Sequence, residues 1–344
     1  MELKTRGTLF REFFSAEPAF RWRQIVCALF DPTLSGWGSV TTLSKFLRNE
    51  LSAHVSWMSL REGMVLRSRN GDTEKALLEC SDGAKIETVL MRNARGHWSV
   101  CVSSQVGCAM GCTFCATGRM GFSRNLSEDE IVDQFRFWQY RLRQTGEIVS
   151  NVVFMGMGEP LANYESVRAA VRTLIEYAGI GPTRITVSTV GLLPAMRRLL
   201  DDPLWPPVRL AVSLHSADSA TRKRLMPTSF DRFLDELVAW TTEYFLRHGE
   251  RRRHLTFEHI LIRGENDSLA DAEKLARFSR RVGKVKVNLI PYNDTSNPYR
   301  GSESASVTRF AERLREVGVV ATVRKTMGND IAAACGQLAA KKSE

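Results

Sequence analysis

The sequence predicts an α/β protein: a parallel sheet, closed or partly closed into a barrel, behind a small helical region. Three observations lead there. From about residue 98 onward, short β-branched runs alternate with longer amphipathic stretches, and regular strand–helix alternation builds parallel sheets. Before that point the pattern differs, with helical spacing up to about residue 75 and alternation around a turn signal after it. The chain has 344 residues, enough for one large domain with accessory pieces, and its 43% hydrophobic and 25% charged content is that of an ordinary globular protein.

Taken in order, Trp22, Ile25, Val26 and Leu29 fall at i, i+3, i+4, i+7 spacing and give one apolar helical stripe. Residues 75–91 alternate around Ser81-Asp82-Gly83 and predict a β-hairpin. Strands are expected at 98–103, 150–155, 184–189, 208–214, 255–262 and 285–290, and helices near 127–143, 163–177, 231–247, 268–281 and 303–317. The first of these helices carries a full start signal, since Ser127 and Glu130 can form a capping box and Leu126 can staple to Ile131. Ile131, Phe135, Trp138 and Leu142 then define its buried face. The expected organisation is a helical accessory domain over 1–75, a hairpin linker over 76–97, the barrel over 98–330 and a C-terminal segment over 331–344.

No apolar run is long enough to span a membrane, and the opening MELKTRGTLFREFF lacks the apolar stretch and cleavage site of a secretory signal, so a cytoplasmic protein with no membrane partner is expected. Lys and Arg number 48 against 38 Asp and Glu, a formal charge of +10 that favours a polyanionic partner, most simply nucleic acid. The basic residues are dispersed, as in Arg67/Arg69, Arg119/Arg124, Arg222-Lys223-Arg224, Arg251-Arg252-Arg253 and Lys341-Lys342. Each short run by itself reads as a solvated face.

Of seven cysteines, Cys101, Cys108, Cys112 and Cys115 fall within fifteen residues, and the last three form C-x3-C-x2-C on a loop that Gly107 and Gly111 allow to turn sharply. Thiolates select zinc, Cu(I) or iron–sulfur clusters. Structural zinc wants a closed set of four ligands, and the six histidines show no zinc-finger spacing. Three thiolates on a four-iron cluster would leave one iron open to a ligand. Further on, Gly158 and Glu159 follow a strand candidate, where glycine lets a ligand approach and the carboxylate suits an ammonium group. Cys335 and His215 read singly as structural residues, as do Cys27 and Cys80.

The C-x3-C-x-aromatic-C spacing, with Phe114 as the aromatic, resembles the signature of the radical S-adenosylmethionine (SAM) superfamily. The segments SVCVSSQVGC, CTFCATGRMGFSRNL, VVFMGMGEPLANY, VSTVGLLP, AVSLHS, VNLIPYN and AAACGQL are similar, in this order, to the RlmN/Cfr family of adenosine methyltransferases. The match runs from about Glu87 to Leu338 and is weaker over the N-terminal helical zone.

The resemblance implies a partial (βα)6 barrel of the radical-SAM type. It implies one [4Fe–4S] cluster on Cys108, Cys112 and Cys115 and two molecules of SAM per turnover, with SAM contacts from Gly158, Glu159, Ser188, Ser213, Leu214, His215 and Asn293. It makes Cys335 the cysteine that accepts a methyl group, Cys101 its transient disulfide partner and Glu87 the proton acceptor. The implied activity is methylation of carbon 2 of an adenosine in 23S ribosomal RNA, with tRNA as a second candidate substrate. Carbon 8 of the same adenosine is the alternative, because Arg92–Val100 looks more Cfr-like while Met157–Pro160, Val287–Pro291 and Arg324–Thr326 look more RlmN-like. A flavodoxin or ferredoxin electron donor and a monomeric state are implied as well. A non-catalytic iron–sulfur or zinc RNA-binding protein is the reading from another class.

Overall fold

A computed structural model describes residues 4–248, 255–295 and 297–340. The basic runs Arg251-Arg252-Arg253 and Lys341-Lys342, and His254, lie outside the described residues.

The chain opens with three helices, α1 (Arg6–Phe13), α2 (Ala19–Phe30) and α3 (Lys45–His54). Their apolar faces close a small core of their own around Phe10, Ile25, Leu29, Trp37, Leu47 and Leu51. Ile25, Val26 and Leu29 of the predicted stripe are buried in it and on the adjoining surface. A meander follows: β1 (Leu60–Arg67), β2 (Thr73–Cys80) and β3 (Lys85–Arg92), paired antiparallel. β2 and β3 form the expected hairpin. β1 lies in the zone expected to be mostly helical, and the reason it escapes the sequence is local. Its register shifts between Glu62 and Met64, at Gly63, so the two-residue alternation is broken in mid-strand.

β3 pairs antiparallel with β4 (Trp98–Cys101), and from β4 on the sheet is parallel. After β4 come the short pair β5 (Gln105–Gly107) and β6 (Phe122–Asn125), with the turn of helix α4 (Ala116–Arg119) between them. Then follow α5 (Glu128–Arg143), β7 (Val149–Phe154), α6 (Tyr164–Tyr177), β8 (Ile185–Thr189), α7 (Leu193–Asp201), β9 (Arg209–Ser213), α8 (Ser219–Leu225) and α9 (Phe233–His248). β10 (Leu255–Leu261), α10 (Leu269–Val282), β11 (Lys286–Pro291), α11 (Ser304–Glu316) and β12 (Val320–Val323) complete the elements.

The ten-stranded sheet runs β1-β2-β3-β4-β7-β8-β9-β10-β11-β12. All six expected barrel strands are present. β12 adds another at the edge, and α7 and α8 are additional helices. Among the described residues β1 and β12 do not pair with each other, so the sheet is an open, partial barrel. Ser127 and Glu130 form the expected capping box at the start of α5. α5 then buries Ile131, Phe135, Trp138 and Leu142, and the indole of Trp138 donates to Thr88 Oγ1 of β3 at 3.1 Å.

α5 is also where the helical region is fastened. Arg6 pairs with Asp129 and Asp133, Ser59 donates to Asp133 through both its backbone and its hydroxyl, and Arg136 donates to Leu29 O at 2.8 Å and Trp57 O at 2.8 Å. Burial alone would raise the Asp133 carboxyl, but the guanidiniums of Arg6 and Arg136 hold it down to about 2.

The segments that follow the parallel strands gather at one end of the sheet, where barrels of this kind carry their chemistry. The chain beyond β12 forms a strap, residues 328–340, across that end. Ala116 N donates to Gly336 O at 2.8 Å and Thr117 Oγ1 to Leu338 O at 2.6 Å, while Lys75 Nζ donates to Ala332 O at 3.2 Å.

Candidate active site

The loop between β5 and β6 carries Cys108, Cys112 and Cys115. Cys108 N donates to Gly121 O at 2.8 Å, and Cys115 N donates to Cys112 O at 3.1 Å, which coils the loop so that its thiols share one side. Gly107 sits at φ +75°, where an added Cβ would lie 2.0 Å from Gly121 O, so only glycine permits the turn. Burial pushes the Cys112 thiol up, with Cys115 and Cys108 adding to the effect, and raises Cys108 to about 11. The three sulfurs therefore feel one another and need a cationic centre to exist together as thiolates.

These thiols line an inner cavity of about 150 Å³ together with Gly158, Glu159, Ser188, Ser213 and His215. Gly158, at φ +99°, passes so close to Gln105 that a Cβ would meet its backbone nitrogen at 2.8 Å. The Gln105 side chain in turn accepts from Glu159 N at 2.8 Å. Glu159 is fully enclosed and pushed up to about 7 by burial. Hydrogen bonds from Val190 N, the Thr189 side chain and Leu161 N pull the other way. The expected carboxylate therefore ties the β7 loop to the β8 loop. His215 is held neutral, because burial keeps its pKa well below the ordinary value. Ile260 N donates to its Nδ1 at 3.1 Å, so the ring proton is on Nε2. Its ring meets Phe114 edge-on at 4.9 Å.

Two expected contacts lie elsewhere. Leu214 is completely buried and lines neither cavity, its backbone N–H donating to Glu258 O at 3.1 Å. Asn293 lines an outer cavity of about 400 Å³ and donates to Cys335 O at 3.2 Å, so it holds the strap.

The outer cavity is walled by Cys101, Met91, Arg92, Asn93, Val153 and the 324–327 stretch. Cys335, on the strap, lines both cavities, as do Met155, Ile290, Arg324 and Leu338. Burial pushes the Cys101 thiol up to about 12, with the nearby Cys335 contributing, while Met155 N–H and Arg324 act the other way. The two cysteines of the expected pair are thus neighbours. Glu87 is buried on β3 but lines neither cavity. One of its oxygens is 2.8 Å from Lys75 Nζ, and the other accepts from Ala339 N at 2.7 Å and Ala340 N at 3.1 Å. In this arrangement Glu87 anchors the end of the strap.

Three further residues, Arg222, Arg324 and Glu258, have no role in the site that their local sequence assigns. Arg222, from a run that reads as a solvated face, is 1% exposed. It donates to Leu214 O at 3.1 Å and Val190 O at 2.6 Å, lies over the Phe233 ring at 3.5 Å, and is lowered by burial to about 9. Arg324 and Glu258 line the inner cavity beside Cys335. Of the two remaining cysteines, Cys80 is buried on β2 and Cys27 is exposed on α2.

The donor set suits an iron–sulfur cluster. It offers three soft ligands on one loop, apolar neighbours in Phe114 and Met110, and an open side facing a cavity with buried polar groups. Fold and site together define a radical SAM enzyme, and residues 102–279 match the Radical SAM superfamily. The chain is 40% identical over 328 residues to the ribosomal RNA large subunit methyltransferase N of Nitrosopumilus maritimus, covering 93% of this chain and 92% of the relative. It is 40% identical over 342 residues to a probable dual-specificity RNA methyltransferase RlmN of Aquifex aeolicus, covering 98% and 94%. The crystal structure of a radical SAM methyltransferase from Sphaerobacter thermophilus matches with a TM-score of 0.90 at 41% identity over 98% of both chains. This chain belongs to the RlmN family of radical SAM RNA methyltransferases. Membership of the superfamily implies a [4Fe–4S] cluster and SAM.

Proposed function

We propose that this chain methylates carbon 2 of an adenosine in 23S ribosomal RNA, with tRNA as a second substrate, by way of a methyl group carried on Cys335. One observation carries the reading: Cys335 lies on the wall common to both cavities, with the cluster thiols on one side and Cys101 on the other. The names of the relatives and the +10 charge support an RNA substrate.

Cys108, Cys112 and Cys115 would hold the cluster, leaving one iron for SAM beside Gly158, Glu159, Ser188, Ser213 and His215. Bound there, the cluster supplies the electron that cleaves SAM. An aromatic C–H carbon has no lone pair with which to attack a sulfonium methyl, so direct polar transfer is closed to it. A group borne on the Cys335 sulfur reaches the outer cavity, where an adenine can be presented. Cys101, lining that cavity, bonds to the Cys335 sulfur as a disulfide while the carbon–sulfur bond breaks, its electron pair and the Cys101 proton going to the carbon to complete the product methyl. Two molecules of SAM are consumed, one to load Cys335 and one to activate the group it carries. Glu87 takes the ring proton only once Ala339 and Ala340 release its carboxylate.

Cluster-loaded protein, methyl-labelled SAM, a reductant and protein-free ribosomal RNA, followed by nucleoside analysis, test the reading. 2-Methyladenosine is expected. 8-Methyladenosine would assign the same residues to carbon 8, and SAM cleavage with neither product would remove the RNA assignment. Metal analysis should give about four irons per chain with sulfide, whereas a single zinc would remove the cluster.

A further inference from the structure

Arg324 follows β12, and its backbone N–H donates to Leu289 O at 2.8 Å, which fixes it at the active end of the sheet. Its side chain borders both cavities and is 31% exposed for that reason. Among the described residues that line the inner cavity, it is the only lysine or arginine; the histidine there is neutral and the acids are Glu159 and Glu258.

Among the described residues the guanidinium has no close oxygen acceptor. Its side-chain contacts among the described residues are Met155 Sδ at 3.4 Å, a weak acceptor, and Glu258 Oε2 at 3.8 Å. Glu258 is buried, accepts from Asn288 Nδ2 at 2.9 Å on one oxygen, and leaves Oε2 without a hydrogen bond. The pair is a loose tether, and guanidinium donors remain available to something else in the partition. Cys335 is the largest influence raising the Arg324 pKa, opposed by burial, with Glu258 and Cys101 adding smaller contributions.

We propose that Arg324, tethered by Glu258, is the positioning residue that orients the Cys335 sulfur between the two cavities and supplies the positive charge against which that sulfur acts as a nucleophile. This rests on the reading of Cys335 as the methyl carrier. In the loading step the Cys335 proton goes to solvent, and the sulfur forms a bond to the methyl carbon of SAM. The sulfonium carbon–sulfur bond breaks with its electron pair passing to the departing S-adenosylhomocysteine. A guanidinium stabilises the sulfur anion in that step and, being permanently charged, does not compete for the proton. The resulting thioether is neutral, so the attraction ends once the methyl has arrived and Glu258 retains the cation.

The test is the rate at which iodoacetamide alkylates Cys335 in anaerobic, cluster-loaded full-length protein without SAM. The alkylated site is identified by peptide mass, and exposed Cys27 serves as internal reference. Arg324→Gln should slow Cys335 about tenfold while Cys27 is unchanged, and Arg324→Lys, which keeps the charge, should restore most of the rate. A rate at Cys335 within about twofold of wild type in Arg324→Gln overturns the proposal. A parallel incubation of wild type with methyl-labelled SAM separates the two readings. If no label reaches Cys335, methyl carriage is wrong although the alkylation result stands. If label arrives and Arg324→Gln alkylates normally, methyl carriage stands and Arg324 has no part in it.

Discussion

At the scale of single residues, the proposed roles of Cys101 and Cys335 can be separated, because Cys335 lines both cavities and Cys101 only the outer one. Cys101→Ala removes the group that takes over the Cys335 sulfur but leaves the partition intact. Protein covalently joined to RNA should therefore accumulate, visible as a shifted band that nuclease reduces. Cys335→Ala should give no adduct, and released methyladenosine from that variant would contradict methyl carriage. These residues were legible only as members of a family pattern. A lone cysteine in Ala-Ala-Cys-Gly has no property that marks it, and its meaning comes from a strap that brings it to Cys101 across 234 positions of sequence, from 101 to 335. Glu258 was not legible at all and Arg324 only as part of a family-like stretch, since nothing local in a sequence says that a side chain borders a cavity assembled from many strand ends. Arg222 misled for the converse reason. Its neighbours Lys223 and Arg224 are exposed and paired to Asp231 and Glu265, so two members of the run fit a solvated face while the first turns inward.

At the scale of elements, the helices and strands that were expected from α5 onward form close to where their sequence signals place them, because capping residues and apolar spacing act locally, whereas α7, α8 and β12 were not expected. The capping boxes at Ser127 and Ser268 show this directly. The edges of the sheet are where those signals weaken. β1 is broken by the bulge at Gly63, and β12 buries only Ala321 of its four residues, so neither shows a clean alternation. The strap has little regular structure to predict beyond a single 3-10 turn at Asn329–Ile331. Its conformation depends on distant partners, above all Glu87, whose one oxygen receives both Ala339 N and Ala340 N. Glu87→Ala should loosen this end without disturbing the sheet. The expected outcome is faster limited proteolysis within 328–340, by about an order of magnitude, with a mass-mapped cut there and unchanged resistance elsewhere. Equal cutting rates in variant and wild type would mean that other contacts hold the strap.

At the scale of the whole molecule, the core of the helical region and the main core of the sheet meet at a buried ionic junction. Asp133 accepts from Arg6, Ser59 and Arg136 at the seam between the helical region and the sheet domain. Asp133→Asn takes the counter-charge from buried Arg136 and leaves buried Arg6 with Asp129 alone, and the expected cost is about 3–5 kcal/mol, read from urea unfolding followed by tryptophan fluorescence. The Asp133 carboxyl sits below its ordinary 3.8, near 2, in the folded protein. Its contribution is therefore present in full above the ordinary value and is lost as the pH falls towards 2. The variant should accordingly lose less stability than wild type on acidification over that interval. A cost below about 1 kcal/mol would place the junction's strength in the apolar contacts around it.

The partition between the two cavities has a consequence for safety as well as for reactivity. An uncontrolled radical attacks whichever C–H bond is nearest, and an RNA strand offers ribose hydrogens by the dozen. Here the inner chamber and the outer one meet at Cys335, Arg324 and three apolar neighbours, so the strap works as an airlock. On the proposed route the hazardous event would be confined to the inner side. On the proposed route, what reaches the nucleic acid is a single tethered carbon presented by the strap.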